Sequence, residues 1–248
     1  MTVLKVHSES WPIRGKFTIS RGSKTTADVV VVELSDRGGA ASGRGEAVPY
    51  ARYGETMESV IEQIESLHGP LADGLDRLGL QALLPAGAAR NALDLAFWDL
   101  ECKRSGKRYW ELAGLPSPGP VTTAFTLSLD SVENMREKAA ANAMRPLLKL
   151  KLAGPEDLDR VAAVRAAAPD PRIIVDANEG WTVEQYSALA PRLKELGVEM
   201  IEQPLPADHD EALSEVDRPV PVCADESCHD RSSLEKLKGR YDIVNIKL

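Results

Sequence analysis

Apolar and polar positions alternate in two different rhythms along this chain. From about residue 121 onward, short apolar runs and amphipathic stretches follow one another strictly. The runs predict strands at 121–128, 147–152, 172–176, 199–202, 220–225 and 242–248. The stretches between them predict helices at 131–143, 155–168, 182–196, 210–214 and 232–237. Strand–helix alternation with short connections implies a parallel sheet of right-handed βαβ units. The earlier part has a different texture. Residues 2–9 and the β-branched run at 28–35 predict strands, and Gly38, Gly39, Gly43 and Gly45 predict a turn after them. Two helices follow, at 55–67 and 88–103, the second with Ala89, Leu93, Ala96, Phe97 and Leu100 on one stripe. The chain therefore divides into an α+β domain, 1–115, and a (β/α) domain, 116–248.

A complete eightfold (β/α) barrel takes about 200 residues or more. The whole chain has 248, too few once the first domain is subtracted. The expected fold is an α+β capping domain followed by a TIM-type barrel that is incomplete after its sixth strand.

Composition narrows the functional classes. The chain is 43% hydrophobic and 27% charged, enough apolar material to form a core rather than stay disordered. Its net charge of −8 and the lack of a Lys/Arg-dense run argue against nucleic acid and against an anionic membrane surface. No apolar run approaches the roughly 18 residues of a membrane-spanning helix, and the start lacks a secretory layout. Cys102, Cys223 and Cys228 contain no Cys-x-x-Cys pair, so a disulfide framework or zinc knuckle is not expected and a reducing cytoplasm fits best. No glycine-rich nucleotide motif follows any strand.

The informative charges stand at the strand ends. Lys151, Asp176, Glu202, Asp225 and Lys247 recur at intervals of 22 to 26 residues, about one βα repeat. Lys149 lies two positions before Lys151, on the same strand face. Singly, each carboxylate reads as a cap for the next helix, and Lys-Leu-Lys as a half-exposed edge strand. Together they stand at the end of a parallel sheet where barrel active sites are assembled, and buried charges there compensate one another only by converging.

Three oxygen donors from neighbouring strands, Asp176, Glu202 and Asp225, describe a hard-cation site, with Mg²⁺ the first choice. A carboxylate substrate bound there becomes more acidic at its α-carbon. An ordinary Lys titrates near about 10.4 and is a poor base, so positive neighbours are needed to bring one into use. Lys151 on one face of the substrate and Lys247 on the other would remove a proton from one side and return one to the other. That is a 1,1-proton transfer: racemisation or epimerisation.

The Lys-x-Lys, Asp-x-Asn, Glu-Gln-Pro, Ala-Asp-Glu-Ser and Asn-Ile-Lys-Leu series resembles the enolase superfamily, muconate-lactonising subgroup, and within it the dipeptide epimerases. Segments of the first domain support the likeness, among them Pro49-Tyr50-Ala51-Arg52-Tyr53-Gly54-Glu55 and the run from Leu84 to Asp94. The resemblance implies Mg²⁺ ligands at Asp176, Glu202 and Asp225, and acid/base roles for Lys151 and Lys247. It implies that Lys149 sits beside the substrate carboxylate, with Asn178 either beside the metal or just behind its ligands. A capping loop at about 17–27 would set specificity, with Lys24 standing where relatives carry an Arg that meets a glutamyl side chain, and Arg21 nearby. The implied substrate is a small dipeptide from murein, and a homo-oligomer is left open. Other subgroup reactions (o-succinylbenzoate synthesis, cycloisomerisation) and a non-catalytic truncated remnant are the alternatives.

Overall fold

The computed structural model describes residues 2–247. They form two compact units, 2–13 with 26–120, and 14–25 with 121–247. A sheet of order β1 (Thr2–Ile19), β2 (Gly22–Asp36) and β3 (Ser42–Ala47) supplies the strands of the first unit, except for the β1–β2 hairpin tip at 14–25, which belongs to the second. Helices α1 (Met57–Glu65), α2 (His68–Ala72), α3 (Arg77–Leu83), α4 (Ala88–Ser105) and α5 (Tyr109–Leu112) follow. Val30, Val32 and Leu34 are buried with Leu93, Ala96 and Leu100 of α4 in one core.

Gly43 and Gly45, expected in a turn, lie in β3, which pairs antiparallel with β2 from Ser42 opposite Ser35 to Ala47 opposite Val30. The physical reason is the close approach of α4. A Cβ on Gly43 would collide with the Ala96 carbonyl, and one on Gly45 with the Ala92 carbonyl. Glycine is the residue that lets a helix lie directly on a strand backbone.

The second unit is a six-stranded parallel sheet in sequential order: β4 (Phe125–Leu127), β5 (Leu147–Lys151), β6 (Arg172–Asp176), β7 (Val198–Glu202), β8 (Val222–Ala224) and β9 (Ile243–Val244). Helices α6 (Val132–Ala141), α7 (Asp157–Ala167) and α8 (Val183–Glu195) connect the first four strands, and α9 (Leu234–Leu237) precedes the last. A 3₁₀ turn, Glu211–Ser214, replaces the helix expected at 210–214. This is the (β/α) barrel architecture, with an unbroken run of neighbouring parallel strands. Its last strand is shorter than the expected 242–248: only Ile243 and Val244 pair in register with β8, and Asn245–Lys247 continue as irregular chain, although the Asn245 N–H still donates to the Ala224 carbonyl. Residue 248 lies outside the described residues.

The helices start where the local chemistry predicts. Ser131 and Thr182 accept from the backbone N–H groups of Asn134 and Gln185, satisfying donors left free in a first turn. Gln185 returns a bond to Thr182, closing a capping box. Leu148, Leu150 and Leu152 are fully buried with Val161, Val164, Ile173 and Val175 in the second core. That leaves the alternate positions of β5, Lys149 and Lys151, on the opposite strand face.

Candidate active site

The charged strand ends converge. Lys151 pairs across the sheet with Asp176, and Asp176 with Glu202. The second pairing depends on an irregularity. Ile173 faces Val198, but Val175 faces Ile201, so β7 carries one extra residue. Without it Asp176 would face Ile201, and the carboxylate of Glu202 would be out of line. Glu202 in turn faces Cys223, two residues before Asp225 on the same strand side. The acidic groups thus step along the strands, as the stagger of a curving barrel sheet requires.

Burial makes these charges dependent on one another. Asp176 is 0% exposed, Glu202 3%, Lys151 7% and Asp225 8%. The Lys151 ammonium donates to Asp176 Oδ2 at 2.6 Å and to Asn178 Oδ1 at 2.9 Å. Lys149 bridges two carboxylates, at 2.6 Å from Glu202 Oε2 and 2.9 Å from Asp176 Oδ2. Lys247 donates to Asp225 Oδ2 at 2.7 Å, although its own side chain is 68% exposed. Asn245 Nδ2 donates to Glu202 Oε1 at 3.2 Å.

Titration follows from these contacts. Burial would push the Lys149 ammonium down, but Asp176 and Glu202 outweigh it and hold its pKa well above the ordinary lysine value. Burial raises Asp176, yet the two lysines more than offset that, and the net shift is downward. Glu202 goes the other way: burial and the neighbouring Asp176 charge raise it against the pull of Lys149. For Lys247 lost hydration lowers the pKa, and Asp225, Glu226 and Glu202 together more than offset it, so the net shift is upward. Cys223, buried behind the carboxylates, is pushed up to about 12 by burial and by Glu202, so it stays a thiol.

The turns after the strands are held in unusual backbone. Asn178, Glu179 and Gln203 have φ values of 45°, 67° and 36°, in the left-handed region that non-glycine residues seldom occupy. Gln203 fastens them together. Its Oε1 accepts from the N–H groups of Asp225 and Ser227, and its Nε2 donates to Leu205 O, Ser227 Oγ and Tyr241 OH. Its carbonyl accepts from the Glu179 N–H. The Glu-Gln-Pro run was visible in the sequence; this role of Gln203, and the contact of Asn245, were not, because both depend on partners far away in the chain.

The tip of the β1–β2 hairpin belongs to the same unit. Arg21 donates to Asn178 O at 2.9 Å, Glu179 Oε2 at 2.8 Å and Glu226 Oε1 at 2.7 Å. Ser20 Oγ donates to the same Asn178 carbonyl at 2.7 Å. The Phe17 ring centre lies 5.8 Å from the Lys151 nitrogen, within cation–π range. Lys24 is exposed on β2. The structure therefore brings together Lys149, Lys151, Asp176, Glu202, Asp225 and Lys247 at the strand ends and draws Arg21 to the turns beside them.

Asp176, Glu202 and Asp225 offer only hard oxygen donors, the chemistry a divalent cation such as Mg²⁺ selects. Asp176 and Glu202 already converge on one positive charge, the Lys149 ammonium, so their oxygens are aimed at a cation-sized point. As placed, each carboxylate is turned toward an amine or amide. Among the described residues no group of three or more His, Cys, Asp or Glu side chains stands close enough to hold a metal ion. The donor set fits such an ion; taking it up requires the amines to give way.

Residues 1–114 match the mandelate racemase / muconate lactonizing enzyme N-terminal domain, and residues 130–248 match the enolase C-terminal domain-like family. The chain is 48% identical over 250 residues to the L-Ala-D/L-Glu epimerase of Escherichia coli (strain K12), a match that spans 100% of this chain and 77% of that protein. The chain belongs to the enolase superfamily. Among solved enolase-superfamily structures, one from Agrobacterium tumefaciens with homology to dipeptide epimerases superposes with a TM-score of 0.94 at 47% identity, over 99% of this chain and 75% of that one. It holds sodium and L-Ala-L-Glu with an ordered loop. A dipeptide epimerase from Enterococcus faecalis V583, complexed with Mg and L-Leu-L-Tyr, superposes with a TM-score of 0.89 at 29% identity, over 99% of this chain and 73% of that one.

Proposed function

We propose that this enolase-superfamily protein is a Mg²⁺-dependent epimerase of dipeptides of the L-Ala-D/L-Glu type, acting by 1,1-proton transfer at the glutamyl α-carbon. The observation that carries the reading is the order of charges along the sheet. Lys149 and Lys151 stand on β5, carboxylates end β6 and β7 and follow β8, and Lys247 follows β9. Support comes from a relative named as an L-Ala-D/L-Glu epimerase, a solved relative that holds L-Ala-L-Glu and another that holds Mg with L-Leu-L-Tyr.

Asp176, Glu202 and Asp225 would hold the metal ion, which supplies positive charge to the substrate carboxylate when bound. Lys151 and Lys247 act on the α-carbon. One amine takes the α-proton: the C–H bond breaks, an N–H bond forms, and the electron pair moves into the carboxylate to give an enediolate. The other lysine, as its ammonium, returns a proton to the opposite face. Lys149 adds a fixed positive charge beside the developing negative oxygens. Asp225, whose carboxylate stabilises the Lys247 ammonium, is one of the groups that would hold the ion. Engaged with an ion it would hold that ammonium charge less firmly, which favours a neutral Lys247 amine able to act as a base. Three free thiols suit a cytoplasmic place in murein peptide recycling.

The test is incubation with L-Ala-L-Glu and Mg²⁺ in deuterated buffer, following the glutamyl α-proton by NMR. Loss of that signal with appearance of the L,D diastereomer is expected. Retention of the proton with Mg²⁺ bound would remove the epimerase reading.

A further inference from the structure

The role of the hairpin tip follows from what Arg21 touches. Glu179 and Glu226 are nearly buried carboxylates, their side chains 8% and 5% exposed. Each ends in an ion pair with Arg21, whose own side chain is 30% exposed. The second oxygen of Glu226 is buried without a hydrogen-bond partner among the described residues. Two such carboxylates need a cation to offset their lost hydration, and a guanidinium can serve both at once.

The same guanidinium and Ser20 Oγ both donate to the Asn178 carbonyl. That carbonyl belongs to a residue held at φ 45°, whose side-chain oxygen accepts from Lys151. The path is short: hairpin tip to Asn178 backbone, Asn178 side chain to Lys151 amine. A second bond, from the Leu129 N–H to the Thr18 carbonyl, fixes the hairpin from its other side.

We propose that Arg21 is a positioning residue. Its guanidinium ties the hairpin tip to the turns after β6 and β8, and through Asn178 it sets the place of the Lys151 amine. The inference rests on the reading of Lys151 as an acid/base group. It assigns Arg21 a role distinct from direct contact with the substrate's glutamyl carboxylate. Lysine cannot replace it fully, since an ammonium is a point charge without the planar fork that spans separate acceptors.

The experiment compares wild type, Arg21→Met, Arg21→Lys and Glu226→Gln in two assays. Hydrogen exchange reads the amides of 14–25 and of the turn at 177–180 without any turnover. Steady-state kinetics are measured on L-Ala-L-Glu and on L-Ala-L-Gln, which lacks the second carboxylate. Arg21→Met is expected to speed exchange in both segments. It should also lower kcat about 100-fold on both dipeptides, the loss typical of a misplaced catalytic group. The ratio of kcat/KM between the dipeptides should stay unchanged. Arg21→Lys should recover part of kcat, and Glu226→Gln should speed hairpin exchange in the same direction. Unchanged exchange at 14–25 in Arg21→Met would overturn the proposal. So would a loss confined to L-Ala-L-Glu and expressed in KM, which would make Arg21 a substrate-carboxylate partner. If wild type turns over neither dipeptide while Arg21→Met still loosens both segments, the epimerase reading fails and the tie itself stands.

Discussion

At the residue scale the site is a set of mutually dependent charges. Lys149 and Lys151 share Asp176, and Lys149 also reaches Glu202. Removing one member leaves a buried partner uncompensated, so a substitution here changes stability as well as chemistry. Lys151→Ala and Lys247→Ala are each expected to abolish epimerisation, with rates down at least about 100-fold, the lower range for loss of a general acid or base. The two variants should differ in one readout. Each removes the base for one face, so each should keep solvent exchange with a single diastereomer, and the two should choose opposite ones. Equal exchange of both diastereomers by either variant, read by NMR, would refute the two-base assignment. These residues were legible as charges at strand ends, one per βα repeat. Their alignment was not, since it needs the extra residue in β7 that turns Glu202 rather than Ile201 toward Asp176.

At the element scale, local rules place most helices and strands and packing decides the exceptions. The glycines of β3 look like turn residues because nothing local marks them otherwise. Their reason is the backbone of α4 lying on them. Gly45→Ala should therefore destabilise the protein by about 1–3 kcal/mol through overpacking. Chemical denaturation would measure this, and a loss below about 0.5 kcal/mol would show that α4 can shift freely.

The start of α6 supplies a pH test. Asp130 accepts from Lys138 at 2.8 Å, from Asn134 at 2.9 Å and from the Ser131 N–H at 2.9 Å. The Lys138 bond leads these effects, and the carboxyl is held well below its usual range. A depressed folded-state pKa contributes stability above the unfolded value, near about 3.9, and loses it as pH falls toward the folded one. The denaturation midpoints of wild type and Asp130→Asn should accordingly differ near neutrality and converge as the pH is taken below about 4. A gap that stays constant over that range would show that the carboxylate charge is not the source of the difference.

At the scale of the whole molecule, uptake of a cation should appear as stability. Mg²⁺ bound by the folded state alone, at about 100 times its dissociation constant, adds about 2.7 kcal/mol. Thermal melting with Mg²⁺ against melting with a chelator is expected to show that gain, and Asp225→Asn to diminish it. An identical melting temperature in both conditions would argue against a metal at these carboxylates. No helix among the described residues is long and apolar enough to cross a membrane. The net charge of −8 gives polyanionic partners no attraction overall.

Periodicity along the chain was sufficient to assign the (β/α) alternation, the α+β character of the first part and the charged strand ends. Each of these depends on neighbours a few residues apart, which the order of amino acids contains directly. Tertiary structure alone decided four other features. It made a strand of Gly43 and Gly45, and it set Glu202 beside Asp176. It buried Gln203 as the fastening of three turns, and it engaged Arg21 with Glu179 and Glu226. Each of those depends on groups brought together from distant positions, where close approach and the cost of an unpaired buried charge select the arrangement.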